Sequence, residues 1–170
     1  MKPWAYFDTS VIVKLYVEEP GTPEARALVR KHRLLSSVIL PLEVTSAFAR
    51  RKTSGELSAK AFTTVLHHFQ EDAQFFEWVE LTAAVRQQAE SILCVHPLRT
   101  LDAIHLASAT LLQKQLGLLS LPFITGDRKQ LLGAEALGLA TIFVGDPSKG
   151  AKIVYRRLSH AIDSPDLGSA

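Results

Sequence analysis

The chain predicts an α/β fold: a central, mostly parallel sheet of four to five short strands, covered by helices on both faces. Short apolar runs of strand length recur along it, helical segments with recognisable caps fill the intervals, and acids stand where strands hand over to helices. The first strand is read in Ala5-Tyr6-Phe7, and Asp8 ends the run and opens the helix-like Ser10 to Val17. Thr22 with Pro23 and Glu24 reads as a capped helix start, and Leu34–Ser37 as the second strand. A mostly apolar stretch from Ile39 to Phe48 continues as a helix through Arg50-Arg51-Lys52 and stops at Gly55. Ser58 caps the next helix, with Leu57 and Phe62 spaced for a hydrophobic staple. Phe76–Leu81 is the third strand, and Thr82 begins a helix through Cys94. Thr100 reads as the cap of a buried helix made of small and apolar residues, with Gly117 past its end. Pro122–Thr125 and Thr141–Val144 complete the strands, with Gly138 closing the helix between them.

Residues 1–146 are expected to form one domain, and 147–170 a tail in which Ile153, Val154, Leu158 and Ile162 trace a short amphipathic helix before a frayed end. With 170 residues, 47% of them hydrophobic, the chain is long enough for a core of its own. No apolar run approaches the roughly 20 residues of a membrane span, and the amino terminus lacks the apolar core of a signal peptide. These features predict a soluble, cytoplasmic protein. The single cysteine, Cys94, excludes an internal disulfide and a cysteine-rich zinc site, and its apolar neighbours predict a packing role.

Four carboxylates are the hardest residues to explain by packing. Asp8 and Asp127 each follow an apolar run at the point where a strand gives way to a helix, and the crevice beyond the carboxyl ends of parallel strands is where ligands bind. Glu43 interrupts an apolar helix, and the position four residues on is Ala47, so it has no helical ion-pair partner. Asp102 lies in Leu101-Asp102-Ala103-Ile104-His105-Leu106-Ala107, a buried helix where an unpaired carboxylate is costly unless it meets a partner or a cation. Each acid also has a structural explanation: Asp8 as a helix cap, Asp127 as a turn residue, Asp102 as an acid at the positive end of its helix or a partner of His105. Four such coincidences are less economical than one site, which makes a metal-dependent nuclease the leading reading.

A net charge of +2 neither requires nor excludes a nucleic-acid partner, which depends on local patches. Arg26, Arg30, Lys31 and Arg33 form one cluster, Arg50-Arg51-Lys52 a second, and Lys149, Lys152, Arg156 and Arg157 a third. Cations at helix C-termini also occur simply because the helix dipole favours them. Several classes are excluded. A haloacid dehalogenase-type site expects a second Asp two positions after the first, where this chain has Ser10. Gly145 to Lys152 lacks the Gly-Lys-Ser/Thr ending of a P-loop, and no Gly-x-Gly-x-x-Gly follows a strand. His67, His68 and His105 lack zinc-motif spacing and read as surface or packing residues. Asp146 belongs to an Asp-Pro turn.

Taken in order, Tyr6-Phe7-Asp8-Thr9-Ser10, the isolated Glu43, Leu101 to Ala109, and Ile124-Thr125-Gly126-Asp127-Arg128-Lys129 followed by Ala136-Leu137-Gly138-Leu139 resemble the PIN-domain family, most closely its VapC-like ribonuclease toxins. The resemblance spans about residues 4–145. It implies a PIN-like three-layer sandwich whose acids gather at one sheet edge, with Asp8 and Asp102 as principal ligands of Mg2+ or Mn2+ and Glu43 and Asp127 completing the catalytic pocket. Thr9, Ser10 and Thr125 look like supporting hydroxyls. The resemblance also implies an RNA substrate, a homodimer, and a cognate antitoxin whose segment covers the pocket; Phe62, Leu66, Phe69, Phe75 and Phe76 are read as core or contact residues. Hard divalent ions prefer oxygen ligands and keep several waters, so a few carboxylates suffice. Attack by water predicts 5'-phosphate and 3'-hydroxyl products. A catalytically silent protein- or RNA-binding module on the same fold is the alternative.

Overall fold

The computed structural model describes residues 2–145. The expected amphipathic helix at 151–162, the third basic cluster and Asp146 lie outside the described residues.

Five parallel strands form one sheet: β1 (Trp4–Phe7), β2 (Arg33–Ser37), β3 (Glu77–Val79), β4 (Phe123–Thr125) and β5 (Thr141–Phe143), in the order β3-β2-β1-β4-β5. The chain winds outward from β1 to β3 and then returns to the other side of β1, so the order reverses between β1 and β4. That reversal opens a crevice at the carboxyl ends of these two strands, the place where such sheets bind ligands. Tyr6 pairs with Phe123 and Phe7 with Ile124, so the residues that leave the two strands leave side by side.

Seven helices occupy the intervals among the described residues: α1 (Thr9–Ile12), α2 (Thr22–Lys31), α3 (Leu40–Thr53), α4 (Ala59–Asp72), α5 (Ala83–Val95), α6 (Thr100–Gln115) and α7 (Arg128–Ala136). The strand period of two sends alternate residues to opposite faces. Ala5, Phe7 and Ile124 meet α1 to α4 through Val11, Ile12, Ala25, Leu40, Val44, Phe48 and Phe69. Tyr6 and Phe123 face α5 to α7, packing with Val85, Ala89, Ile92, Ala103, Leu106, Ala107 and Ala134. The sheet is thus buried on both sides, as its near-continuous apolar strands require.

Local chemistry accounts for the helix ends. Ser58 and Thr82 cap α4 and α5 by accepting the amides of Ala61 and Val85. Gly55, Gly117 and Gly138 take the left-handed conformation past α3, α6 and α7. Two caps fall one residue off expectation. Thr22 is the first residue of α2, after Gly21 in the left-handed region, and its hydroxyl instead donates to the Lys14 carbonyl and accepts the Glu19 amide. Thr100 is likewise inside α6, and Arg99 holds the cap position without a side-chain bond.

The packing role expected for Cys94 is not what the fold gives it. Helix α5 turns Val85, Ala89 and Ile92 inward at spacings of four and three; Cys94, two residues past Ile92, is exposed, with Leu93 and Val95 exposed beside it. Of the aromatic and apolar residues read as core or contact, Phe69 and Phe76 are buried, Phe62 and Leu66 pack against the core, and Phe75 is exposed. No described helix is long and apolar enough to cross a membrane.

Candidate active site

Asp8 leaves β1 and caps α1. Its Oδ2 accepts the Ser10 amide at 3.0 Å and the Ser10 hydroxyl at 2.5 Å, with the Thr125 hydroxyl at 3.2 Å. Asp127 leaves β4 and caps α7, its Oδ1 accepting the amides of Lys129 and Gln130 at 2.7 and 3.2 Å. Capping and membership of an acidic site are therefore the same placement, because a strand that hands over to a helix at the crevice puts the cap residue at its rim. The β4 exit is tight: the Gly126 amide donates to Ser10 Oγ at 2.7 Å, and a Cβ on Gly126 would stand 2.8 Å from the Val144 carbonyl oxygen.

Glu43 and Asp102 come from the first turns of α3 and α6, on opposite faces of the sheet. Glu43, without a partner on its own helix, finds two elsewhere. Its Oε2 accepts the Thr9 hydroxyl at 2.6 Å and lies 2.6 Å from His105 Nε2, while His105 Nδ1 is 2.9 Å from the Tyr6 hydroxyl. His105 is fully buried, and it pairs with Glu43 rather than with Asp102. It is the residue that sequence reading missed. The available signal was that Glu43 is a titratable group on an apolar helix with no local partner, and such a group tends to find another buried titratable group, here His105.

All four acids line one cleft of about 700 Å³, together with Thr9, Ser10, Lys14, Glu19, Arg50, Arg51 and Arg99. Lys14 and Arg51 are both bound to Glu19, at 3.0 and 2.6 Å. Arg50 and Arg51 belong to the last turn of α3, where the helix dipole favours them, and they also reach the cleft wall. Arg99, which the sequence did not single out, also lines the cleft, from the start of α6. His67 is exposed and pairs with Glu71 across one helical turn.

The electrostatics follow from this crowding. Burial raises the Asp102 carboxyl above its usual range, and Asp127 and Asp8 raise it further. Burial alone would lower the His105 imidazole, but the Glu43 hydrogen bond and the Asp8 and Glu43 charges outweigh it, and the net direction is upward. Burial also raises the Tyr6 phenol, which stays protonated.

The Asp102 shift has a consequence for stability. Between its ordinary value of 3.8 and its raised folded value, the folded state keeps a proton that the unfolded state has lost. Stability of the metal-free chain therefore falls as pH rises through that window. Urea unfolding in chelator from about pH 4 to about pH 7 is expected to show a shallower fall for Asp102→Asn than for the parent. Equal slopes would mean that the carboxyl is not raised.

The donor set bears on whether a cation fits. Among the described residues, no group of three His, Cys, Asp or Glu side chains is arranged to hold an ion by itself. That rules against a closed, zinc-like cage and suits an ion that takes one or two carboxylates and keeps water in its other positions. Three of the acids are set up alike: Asp8, Glu43 and Asp127 each commit one oxygen to protein donors, Oδ2, Oε2 and Oδ1 respectively. The second oxygen of each makes no hydrogen bond to the described residues, and that of Asp8, Oδ1, lies 3.9 Å from His105 Nε2.

A parallel sheet with acids gathered at its topological switch point defines an α/β protein with an acidic cleft at the carboxyl edge of the sheet. The chain belongs to the PIN domain family, whose sequence profile matches residues 5–132. It is 34% identical over 137 residues to Ribonuclease VapC45 of Mycobacterium tuberculosis (strain CDC 1551 / Oshkosh), spanning 80% of this chain and 92% of that protein. It is 36% identical over 138 residues to Ribonuclease VapC46 of Mycobacterium tuberculosis (strain ATCC 25618 / H37Rv), spanning 81% and 95%. In structure it is similar to a chain of a toxin-antitoxin complex from Klebsiella pneumoniae, with a TM-score of 0.57 and 19% identity over 76% of this chain and 91% of that one. That likeness supports the fold.

Proposed function

We propose that this protein is a divalent-metal-dependent endoribonuclease toxin, held in check by a cognate antitoxin. The observation that carries the reading is the cleft itself, where Asp8 and Asp127 leave neighbouring strands at the switch point and meet Glu43 and Asp102 from helices on opposite faces. The ribonuclease names of relatives that share about a third of its residues support the choice of RNA.

Asp8 and Asp102 are the residues that would hold Mg2+ or Mn2+. When bound, such an ion polarises the scissile phosphate and lowers the pKa of a bound water. The chain's own groups do the rest. Ser10 and Thr125 fix the Asp8 carboxylate through Oδ2, so that Oδ1 would be the oxygen available to the ion. Glu43, anchored through Oε2, would use Oε1 to orient the attacking water and take its proton as the P–O3' bond breaks, and the departing 3'-oxygen would take a proton from solvent in the cleft to leave the 3'-hydroxyl end. Asp127, anchored through Oδ1, would add the charge of its carboxylate to the same cleft. Arg50 and Arg99 stand at the cleft margins, where phosphates flanking the scissile one would pass. A homodimer and an antitoxin segment laid across the cleft complete the proposal, since a covered cleft explains how the activity is restrained.

Purified, antitoxin-free protein incubated with total cellular RNA in Mn2+ or Mg2+ is expected to give products with 5'-phosphate and 3'-hydroxyl ends, and none in chelator. Metal-independent cleavage to cyclic phosphates would overturn the metal assignment. Tight RNA binding with no cleavage by folded, metal-loaded protein would leave a binding module.

A further inference from the structure

The hydrogen count around Thr125 does not close with the amide of Gln130 as it stands. Gln130, the third residue of α7, is completely buried, and its Nε2 has no partner. Its Oε1 lies 2.8 Å from Thr125 Oγ1, which already accepts the Asp127 amide at 3.0 Å and lies 3.2 Å from Asp8 Oδ2. A threonine hydroxyl has one proton. Given to Gln130, it is lost to Asp8; given to Asp8, it leaves two oxygens facing each other at 2.8 Å. The Ser10 hydroxyl cannot take over, because its proton is committed to Asp8 at 2.5 Å while its oxygen accepts the Gly126 amide.

The two ends of a glutamine amide are nearly equal in shape, and hydrogen bonding decides which faces which neighbour. Turning the Gln130 amide resolves both faults. Nε2 then donates to Thr125 Oγ1, whose two lone pairs are filled by Gln130 and the Asp127 amide, and its proton goes to the Asp8 carboxylate oxygen at 3.2 Å in preference to the neutral Ser10 hydroxyl at 3.5 Å. The buried orphan is then a carbonyl oxygen, which is more often left unpaired in proteins than a buried N–H. We infer that Gln130 is a positioning residue: its side-chain NH2 donates to Thr125 and thereby commits the Thr125 proton to Asp8 Oδ2, completing three donors on that oxygen, so that Oδ1 is the oxygen that would be free to meet a cation. The inference rests on the reading of Asp8 as a metal ligand. Gln130 touches neither ion nor RNA, and acts through Thr125 as outer-shell partners of metal ligands do.

Two measurements test it. In 15N-labelled parent protein, the Gln130 side-chain NH2 is expected to show a nuclear Overhauser effect to the Thr125 methyl group; an NH2 that contacts only residues away from Thr125 overturns the inference. Gln130→Met keeps the length of the side chain and removes the donor, and is expected to weaken Mn2+ binding, followed by titration calorimetry, about tenfold. In a Thr125→Val background the same substitution should change Mn2+ affinity little. Parent-like affinity in Gln130→Met, or an equal loss in both backgrounds, overturns the inference. If Asp8→Asn loses Mn2+ while Gln130→Met does not, only the role of Gln130 falls. If Asp8→Asn binds Mn2+ like the parent, the metal reading falls, and the amide contact alone is then all that the first measurement supports.

Discussion

Asp102→Asn is expected to reduce RNA cleavage by roughly a hundred- to a thousand-fold, the range for removing one group that stabilises charge in a water-poor site. The substitution is the cleanest in the cleft because it keeps shape while removing the charge that has least structural work. Asp8 caps α1 and gathers Ser10 and Thr125, so its replacement by asparagine also disturbs the β1 exit. Asp102, by contrast, is a half-buried carboxylate held above its usual pKa by burial and by Asp127 and Asp8. Without a cation its charge is a liability, so Asp102→Asn should fold at least as well as the parent when metal-free while losing the stabilisation that Mn2+ gives the parent. The double variant Asp8→Asn/Asp102→Asn is expected to be little worse than either single one, because residues that act on one ion act as a unit. Single-turnover cleavage at saturating Mn2+, with thermal unfolding alongside, is the measurement. A folded Asp102→Asn protein that cleaves within tenfold of the parent would remove Asp102 from the site.

How much of this was open to sequence reading depends on the range of each interaction. The strands were legible because they are short and buried on both faces, and the helix starts at Ser58 and Thr82 because a cap is a contact three residues long. Asp8 and Asp127 stood out because strand-to-helix handovers are local. Their adjacency was not local: it depends on β4 returning to pair with β1 across more than a hundred residues, a choice that the helices on each face make together. The same limit explains Glu43. A search one turn along α3 finds only Ala47, whereas its partners lie 34 and 62 residues away in Thr9 and His105. Cys94 failed in a different way. Apolar neighbours in sequence implied packing, but on a helix neighbours in sequence point in different directions, and with Ile92 on the buried face Cys94, two residues on, is turned outward.

His105→Leu is expected to destabilise the fold by about 3 kcal/mol, the low end for breaking a buried charged pair. That corresponds to a fall in Tm of roughly 6–12 °C for a domain of this size. His105 sits on α6, on one face of the sheet, and Glu43 on α3, on the other, so their contact fastens the two helical layers over the carboxyl end of β1. Leucine leaves the Glu43 carboxylate with Thr9 alone and takes the Nδ1 partner from the buried Tyr6 hydroxyl. The effect belongs at the low end because Glu43 is 17% exposed in its side chain and faces a wet cleft. A test of cause follows from the same physics: a buried ion pair replaced as a whole by apolar groups costs little, while half of one costs much. Glu43→Leu/His105→Leu should therefore recover most of the lost Tm and none of the cleavage, whereas His105→Gln, which retains an N–H donor, should recover part of both. If the double leucine variant is less stable than His105→Leu, the cost lies in packing and not in the stranded carboxylate, and His105 is a core residue whose contact with Glu43 is incidental to the site.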